Sequence, residues 1–456
     1  MTTAALPASP PQPPGPRSRH PLGALPEIRR DALAFLLGTF TRYGDVARYR
    51  LGPMPSALVA HPDGVRHVLQ EHVKNYTKDH ISYGMVRWVA GDGLLTNRGD
   101  SWLRQRRLAQ PAFHRQRLAA MAEMMVRRSE ETVAEWEQAA DAGRPVEVGD
   151  AMMRLALRIV GDALFGANVD AQAAAISRNF HIVSDQIVTR FRSFNLIPPV
   201  LPRRRDREWR QAVAALDSVI YGMIAERRRS GEDRGDLFSM LMLARDEDTG
   251  HQMSDRQLRD ELLTMLVAGH ETTATALTWA WALLDRHPEA ATKLHAELDA
   301  VLGDRAPTGA DLPRLAYTRM VIDETMRLYP PIYLFSRAVK AADTIGGYSI
   351  PRGSSVEICA YVTHRHPEFW PDPERFAPER FAPEQVAARH KFAYIPFSSG
   401  PRICIGNNFA LMEATLALAA IARRLRLRLP AATLPAPEPL LTLRPLGGLR
   451  MTPERR

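Results

Sequence analysis

Cysteine is scarce in this chain: only Cys359 and Cys404 occur among 456 residues. Two thiols cannot build a disulfide framework, and they suit a reducing compartment. Long apolar runs are missing as well. The best candidate, Leu262 to Leu284, carries His270 and Glu271 within it, so no membrane span is expected. The first residues are rich in Pro and Ala and lack the apolar stretch of a secretory leader, which points to a cytoplasmic protein. No repeat and no internal linker appears, and Pro-rich composition is confined to Leu6–Pro26. That stretch is expected to be extended or disordered, so residues 1–30 form a disordered head and residues 31–456 a single domain. The net charge is +9, but the arginines are spread along the whole chain. No basic module interleaved with aromatics accompanies them, and nucleic acid is not the expected partner.

What is present reads as a mainly α protein with small β-sheets. Gly44–Leu51 and Pro55–Ala60 flank Gly52-Pro53 and predict a hairpin. Amphipathic helices are expected over Arg115–Ala139 and Ala151–Phe165, and a basic helix from about Asp206. Ile197-Pro198-Pro199-Val200-Leu201-Pro202 breaks the helical pattern before it. Strands return late, around Thr344–Ile350, Val356–Tyr361 and Leu440–Met451.

Two places carry chemistry. Cys404 lies in Phe397-Ser398-Ser399-Gly400-Pro401-Arg402-Ile403-Cys404-Ile405-Gly406, directly before an apolar helix opening at Asn407. Helix N-termini favour a thiolate, the metal-binding form of cysteine, and Gly400 and Gly406 permit tight turns and close approach. Taken alone, Cys404 could equally be a small buried hydrophobe, which is how Cys359 reads in Val356-Glu357-Ile358-Cys359-Ala360. The second place is a helix beginning near Ser254-Asp255. There Met265, Ala268, Gly269, Thr272 and Ala276 share one face of small volume. Gly269 costs about 1 kcal/mol of helix propensity against Ala, and the Thr272 hydroxyl can bond back to the Ala268 carbonyl. A stripe of small residues can also serve close helix packing alone.

The run from Phe397 to Gly406 matches the haem-binding pattern Phe-x-x-Gly-x-Arg-x-Cys-x-Gly, and on that match the chain resembles a cytochrome P450. The resemblance implies haem b, iron protoporphyrin IX, with a buried Cys404 thiolate as axial metal ligand. Phe397 would pack beside the sulfur, and Arg402 would pair with a propionate. Trp102 and Arg106 match a Trp-x-x-x-Arg propionate clamp, in which Arg107 could replace Arg106, and Arg337 matches a further propionate cation. Ala268, Gly269 and Gly406 would border the cofactor. Ala268-Gly269-His270-Glu271-Thr272-Thr273 matches the acid–alcohol pair, with Glu271 relaying protons from solvent and Thr272 bonding the distal oxygen. Glu324 and Arg327, an ordinary surface pair by spacing alone, match Glu-x-x-Arg. With Arg380 of Pro378-Glu379-Arg380-Phe381 they would form a buried structural triad.

The resemblance further implies a soluble, bacterial-type, monomeric monooxygenase that inserts one atom of O2 into a C–H bond. The chain holds no flavin or ferredoxin module, so NAD(P)H would serve only indirectly, through a reductase and a ferredoxin or flavodoxin. A basic face at Arg104, Arg106, Arg107, Arg115 and Arg117 would steer such a partner; ordinary solvation explains these arginines equally well. Pocket segments at Ile81–Val89, Leu196–Leu201 (the lid), Met265–Thr272, Ile332–Phe335 and Leu440–Leu441 are mostly apolar. They suit a fatty acid, terpenoid, steroid or polyketide. The Thr-rich helix and Arg327-Leu328-Tyr329-Pro330-Pro331 look closer to fatty-acid hydroxylases than to camphor-type relatives. A peroxide-driven peroxygenase is the alternative within catalysis, and a haem-binding sensor the alternative outside it.

Overall fold

The computed structural model describes residues 10–80, 82–166, 170–192, 204–246, 250–430 and 433–456. The expected lid at Leu196–Leu201 lies outside the described residues, as do Ile81 and the side chains of Met85 and Arg115. The chain forms two compact units. One comprises Met1–Ser82, Ile332–Glu374 and Ala388–Cys404; the other comprises Tyr83–Pro331, Arg375–Ala387 and Ile405–Arg456.

The first unit is organised by a sheet of five strands: β1 (Val46–Leu51), β2 (Met54–Val59), β3 (Tyr76–Thr77), β4 (Leu334–Val339) and β5 (Ser355–Cys359). Their order is β1-β2-β5-β4-β3. β1 and β2 form the predicted antiparallel hairpin, with Val46 opposite Val59 and Gly52 in the left-handed region at φ +59. β2 runs parallel to β5. β4 runs antiparallel to β5, which sets Arg337 opposite Val356 and Ser336 opposite Glu357. Every β5 residue is buried, as suits an interior strand. Val65, Val68, Leu69, Phe335, Val356, Ile358 and Ile395 share its core. The strand expected over Val356–Tyr361 ends at Cys359, because Ala360–Thr363 turns helical and Thr363 Oγ1 donates to the Ala60 carbonyl.

The N-terminal stretch, expected to be extended or disordered, docks through its main chain over the described part. Pro10–Arg19 has no helix or strand, yet the Pro14 carbonyl accepts from Arg48 N–H at 2.8 Å and the Pro11 carbonyl from Ser349 N–H at 2.9 Å. Proline loses its donor but keeps its acceptor, so a proline segment can dock through carbonyls. Leu25–Arg30 is helical.

The second unit is helical. Its frame is α1 (Gly99–Ala109), α2 (Ala122–Asp141), α3 (Val148–Phe165), α4 (Asp255–Arg286), α5 (Ala316–Leu328) and α6 (Asn407–Ala422). The helix expected over Arg115–Ala139 is two, Arg115–Ala119 and then α2. α4 starts where the sequence predicts: Ser254 Oγ accepts from Gln257 N–H, and the Gln257 side chain accepts from Ser254 N–H. That reciprocal capping box satisfies two orphan donors. α4 packs against α3, α5 and α6 and is buried on nearly every face, the mark of a central helix. Trp279 Nε1 donates to the Leu443 carbonyl at 2.7 Å, and its ring stacks on Tyr329 at 3.8 Å. The late strands are short: Pro437–Pro439 pairs with Leu443–Pro445, and Arg450–Arg455 lies between Val146–Glu147 and Leu425–Arg428.

The first turns of α4 also hold a loop. Asp260 Oδ2 accepts from Asp92 N–H, and Glu261 Oε2 from Leu94 N–H, each at 3.0 Å. Burial pushes the Glu261 carboxyl up to about 8, against the opposing hydrogen bond from Leu94, and the Asp260 charge pushes the same way. The folded protein therefore keeps a proton that the unfolded chain releases above the ordinary glutamate value of 4.5. Stability from this group is fully present below that value and is lost as pH rises towards about 8. Glu261→Gln should gain in urea midpoint relative to the parent as pH rises through this window. A difference independent of pH would contradict the assignment.

Candidate active site

The Cys404 loop belongs to the first unit, and its backbone is tightly turned. Cys404 N–H donates to the Phe397 carbonyl at 3.0 Å, and Ile403 N–H to the Gly400 carbonyl at 3.1 Å. Ser398 and Gly400 both have positive φ, +60 and +68. Gly400 is required by space as well as conformation: a Cβ there would lie 1.9 Å from the Leu69 carbonyl oxygen. The two cysteines part ways as the sequence suggests. Cys359 is fully buried, and burial pushes its thiol up to about 12. Cys404 is exposed among the protein's own side chains.

Cations gather round this loop. Arg337 on β4 is buried, and its Nη1 donates to the Ser336 carbonyl at 2.9 Å. Lys78, which the sequence analysis missed, is half-buried beside Arg337 and Arg402. Burial first, and then those two guanidinium groups, hold its ammonium well below the usual lysine range, while Cys404 acts in the opposite direction. No motif surrounds Lys78, so only the fold discloses it. Beneath them Glu357 accepts from Ser336 and Ser355 hydroxyls. Burial pushes its carboxyl up to about 7 despite both hydrogen bonds and the Arg337 charge.

In the second unit α4 carries the acid and the alcohol. Thr272 Oγ1 donates to the Ala268 carbonyl at 2.8 Å, as the sequence suggests. Ala268 is exposed and Gly269 and Thr272 are half-buried, a small open window on an otherwise buried helix. Met265 and Ala276, placed on the same face by spacing, are covered. Gly269 also has a packing reason: a Cβ there would approach Val160 Cγ2 of α3 to 2.9 Å. Glu271 is not open to solvent. It is buried, accepts from Thr442 Oγ1 at 2.6 Å and Arg444 Nε at 3.0 Å, and has Arg444 Nη2 at 2.6 Å. Thr442 and Arg444 are the residues that sequence reasoning missed here, because more than 160 positions separate them from Glu271, |i−j| being 171 and 173.

Trp102 and Arg106 lie half-buried, one turn apart on α1. Arg107 is committed elsewhere, its Nη2 lying 3.0 Å from the buried Asp246. Arg104 and Arg117 are exposed. Gly406 caps the N-terminus of α6. Phe397 and Arg402 are half-buried.

Glu324, Arg327 and Arg380 do come together. Glu324 and Arg327 are 0% exposed, so this is no surface pair. Arg327 Nε donates to Glu324 Oε2 at 2.7 Å and Nη2 to Oε1 at 2.9 Å. Arg380 Nε stands 3.5 Å from Oε1. The pair also binds backbone: Arg327 Nη2 donates to the Arg375 carbonyl and Ala377 N–H to Glu324 Oε1.

The family model described as Cytochrome P450 matches residues 13–450. The chain belongs to the cytochrome P450 family. It is a P450 monooxygenase, and its helix-rich fold with small sheets is the P450 fold. Cyclooctatin synthase of Streptomyces melanosporofaciens is 40% identical over 431 residues, 94% of this chain and 92% of that one. Cyclooctat-9-en-7-ol 5-monooxygenase of the same organism is 38% identical, covering 93% of each. The crystal structure of the cytochrome P450DA heme domain superposes with a TM-score of 0.88 at 28% identity, covering 98% of both chains.

The P450 family implies a haem-thiolate iron, and the residues present fit it. The first unit offers an exposed cysteine and three basic side chains, Lys78, Arg337 and Arg402, suited to carboxylates. The second offers a small-residue window beside a hydroxyl. Among the described residues no helix is long and apolar enough to cross a membrane.

Two outcomes follow. Breaking a buried pair by removing one partner costs about 3–5 kcal/mol, so Glu324→Ala and Arg327→Ala should be recovered without haem. Normal haem content in well-expressed variants would contradict this. In haem-free protein a maleimide should modify Cys404 alone; label in the Cys404→Ser variant would show Cys359 to be accessible.

Proposed function

We propose that the enzyme hydroxylates a C–H bond of a polycyclic terpenoid, using haem b held by the Cys404 thiolate. The observation that carries this reading is the uncovered Cys404 sulfur beside Lys78, Arg337 and Arg402. When bound, haem supplies dioxygen activation and oxygen insertion. Arg337, Arg402 and Lys78, with Trp102 and Arg106, would hold the propionates. The catalytic domain would span 31–456, and a separate ferredoxin or flavodoxin would deliver electrons from NAD(P)H.

Thr272 holds a proton at Oγ1, which it now donates to the Ala268 carbonyl. Turned outward, that hydroxyl would stand in the open window of Ala268 and Gly269 with its proton available for donation. Glu271 supplies the proton behind it. Its carboxylate is held by Thr442 and Arg444, so protons would arrive through the Thr442 hydroxyl and not straight from solvent. The terpenoid assignment is supported by the two Streptomyces relatives, whose names place cyclooctatin and cyclooctat-9-en-7-ol at their sites. In the expected pocket segment Ile332–Phe335, Ile332, Tyr333 and Leu334 are half-buried and Phe335 is buried.

Reduced protein exposed to carbon monoxide should show the red-shifted thiolate haem band, and Cys404→Ser should lose it. Titrated with polycyclic terpenoids and with fatty acids, the ferric protein should change its haem band with the terpenoids at the lower concentrations. An unaltered carbon monoxide spectrum in Cys404→Ser would overturn the ligand assignment. Tighter binding of fatty acids would overturn the substrate class.

A further inference from the structure

On the first unit the segment His67–Glu71 forms a π-helical turn, closed by His72 N–H donating to the His67 carbonyl at 2.8 Å. π turns inside helices occur often at functional sites. Here the five-residue repeat, in place of the four of an α-helix, brings His67 and His72 onto one side. Their imidazole rings stack with centroids 3.9 Å apart and planes 14° from parallel.

Asp343 meets both rings. Its Oδ2 lies 2.9 Å from His67 Nε2 and 3.8 Å from His72 Nδ1. The three ligand atoms all fall within 4.8 Å of one another. The carboxylate is oriented by neighbours. The Tyr76 hydroxyl donates to Oδ2 at 2.9 Å, Asn75 Nδ2 reaches it at 3.5 Å, and Thr344 N–H donates to Oδ1 at 2.7 Å. Asn75 is itself fixed by two hydrogen bonds to the Ala341 backbone. Such outer partners orient ligating groups at metal sites.

A His67–Asp343 hydrogen bond alone would account for one imidazole. A second ring stacked on the first and facing the same oxygen asks for a shared positive partner. Two imidazoles and one carboxylate are the donor set of zinc, nickel and copper sites, and three protein ligands leave a position for water. The side chains are 20%, 50% and 18% exposed for His67, His72 and Asp343, so an ion has a path in. We propose that His67, His72 and Asp343 bind a divalent transition-metal ion, with water completing its shell. The bound ion pins the π turn, whose Leu69 carbonyl abuts Gly400 of the Cys404 loop. This inference is independent of the terpenoid reading.

The test is calorimetric titration of zinc chloride into untagged, haem-loaded full-length enzyme freed of metal by a chelator. One saturable zinc per chain is expected, weakened at least tenfold in His67→Ala and in Asp343→Asn. His72 is half-exposed, so His72→Ala should fold normally and still weaken zinc at least tenfold. Absence of saturable binding in the parent would overturn the proposal. So would parental affinity in His72→Ala.

Discussion

The constraint on which the helical unit depends is the burial of opposite charges with no water to share them. Glu324 and Arg327 are wholly enclosed, and their forked hydrogen bonds offset part of two large desolvation costs. Because each also binds main chain at Arg375 and Ala377, the pair fastens α5 to a distant segment. A surface pair of the same spacing would do neither.

A second buried carboxylate shows the same rule applied to chemistry. Glu271 is enclosed in α4, but Arg444 and Thr442 from the C-terminal hairpin reach it. Glu261, nearly three turns earlier on the same helix, has burial and the Asp260 charge against it, and its carboxyl is pushed up to about 8. The difference between the two acids lies in their partners, since both are buried residues of one helix. Glu271 thus has an arginine and a hydroxyl in contact, next to Thr272, whose own proton points back into the helix.

Much of this was legible in the residues. Ser254 and Gln257 announce the start of α4, the Gly52-Pro53 turn announces the first hairpin, and the pattern around Cys404 announces the family. Less legible was whatever depends on segments far apart in the chain. Lys78 has no motif, and its place beside Arg337 and Arg402 arises only when β4 is paired into the sheet. Gly269 suggested a flat neighbour, yet its missing side chain also makes room for Val160. The Arg106–Arg107 ambiguity is narrowed by Asp246, which engages Arg107. For the proline head, composition records the lost donors of proline but not the carbonyls that dock it.

The sequence by itself determined the local chemistry: which cysteine sits in a turn of glycines, which helix is capped, and which hydroxyl can bond back four residues. These follow from short-range sterics and hydrogen bonding, and they need no distant partner. Tertiary structure alone decided the electrostatic states. Whether a carboxyl is enclosed or open, and whether an arginine reaches it, depends on burial and on contacts across more than a hundred residues. Desolvation is a property of the folded surroundings, and no spacing of letters encodes it directly.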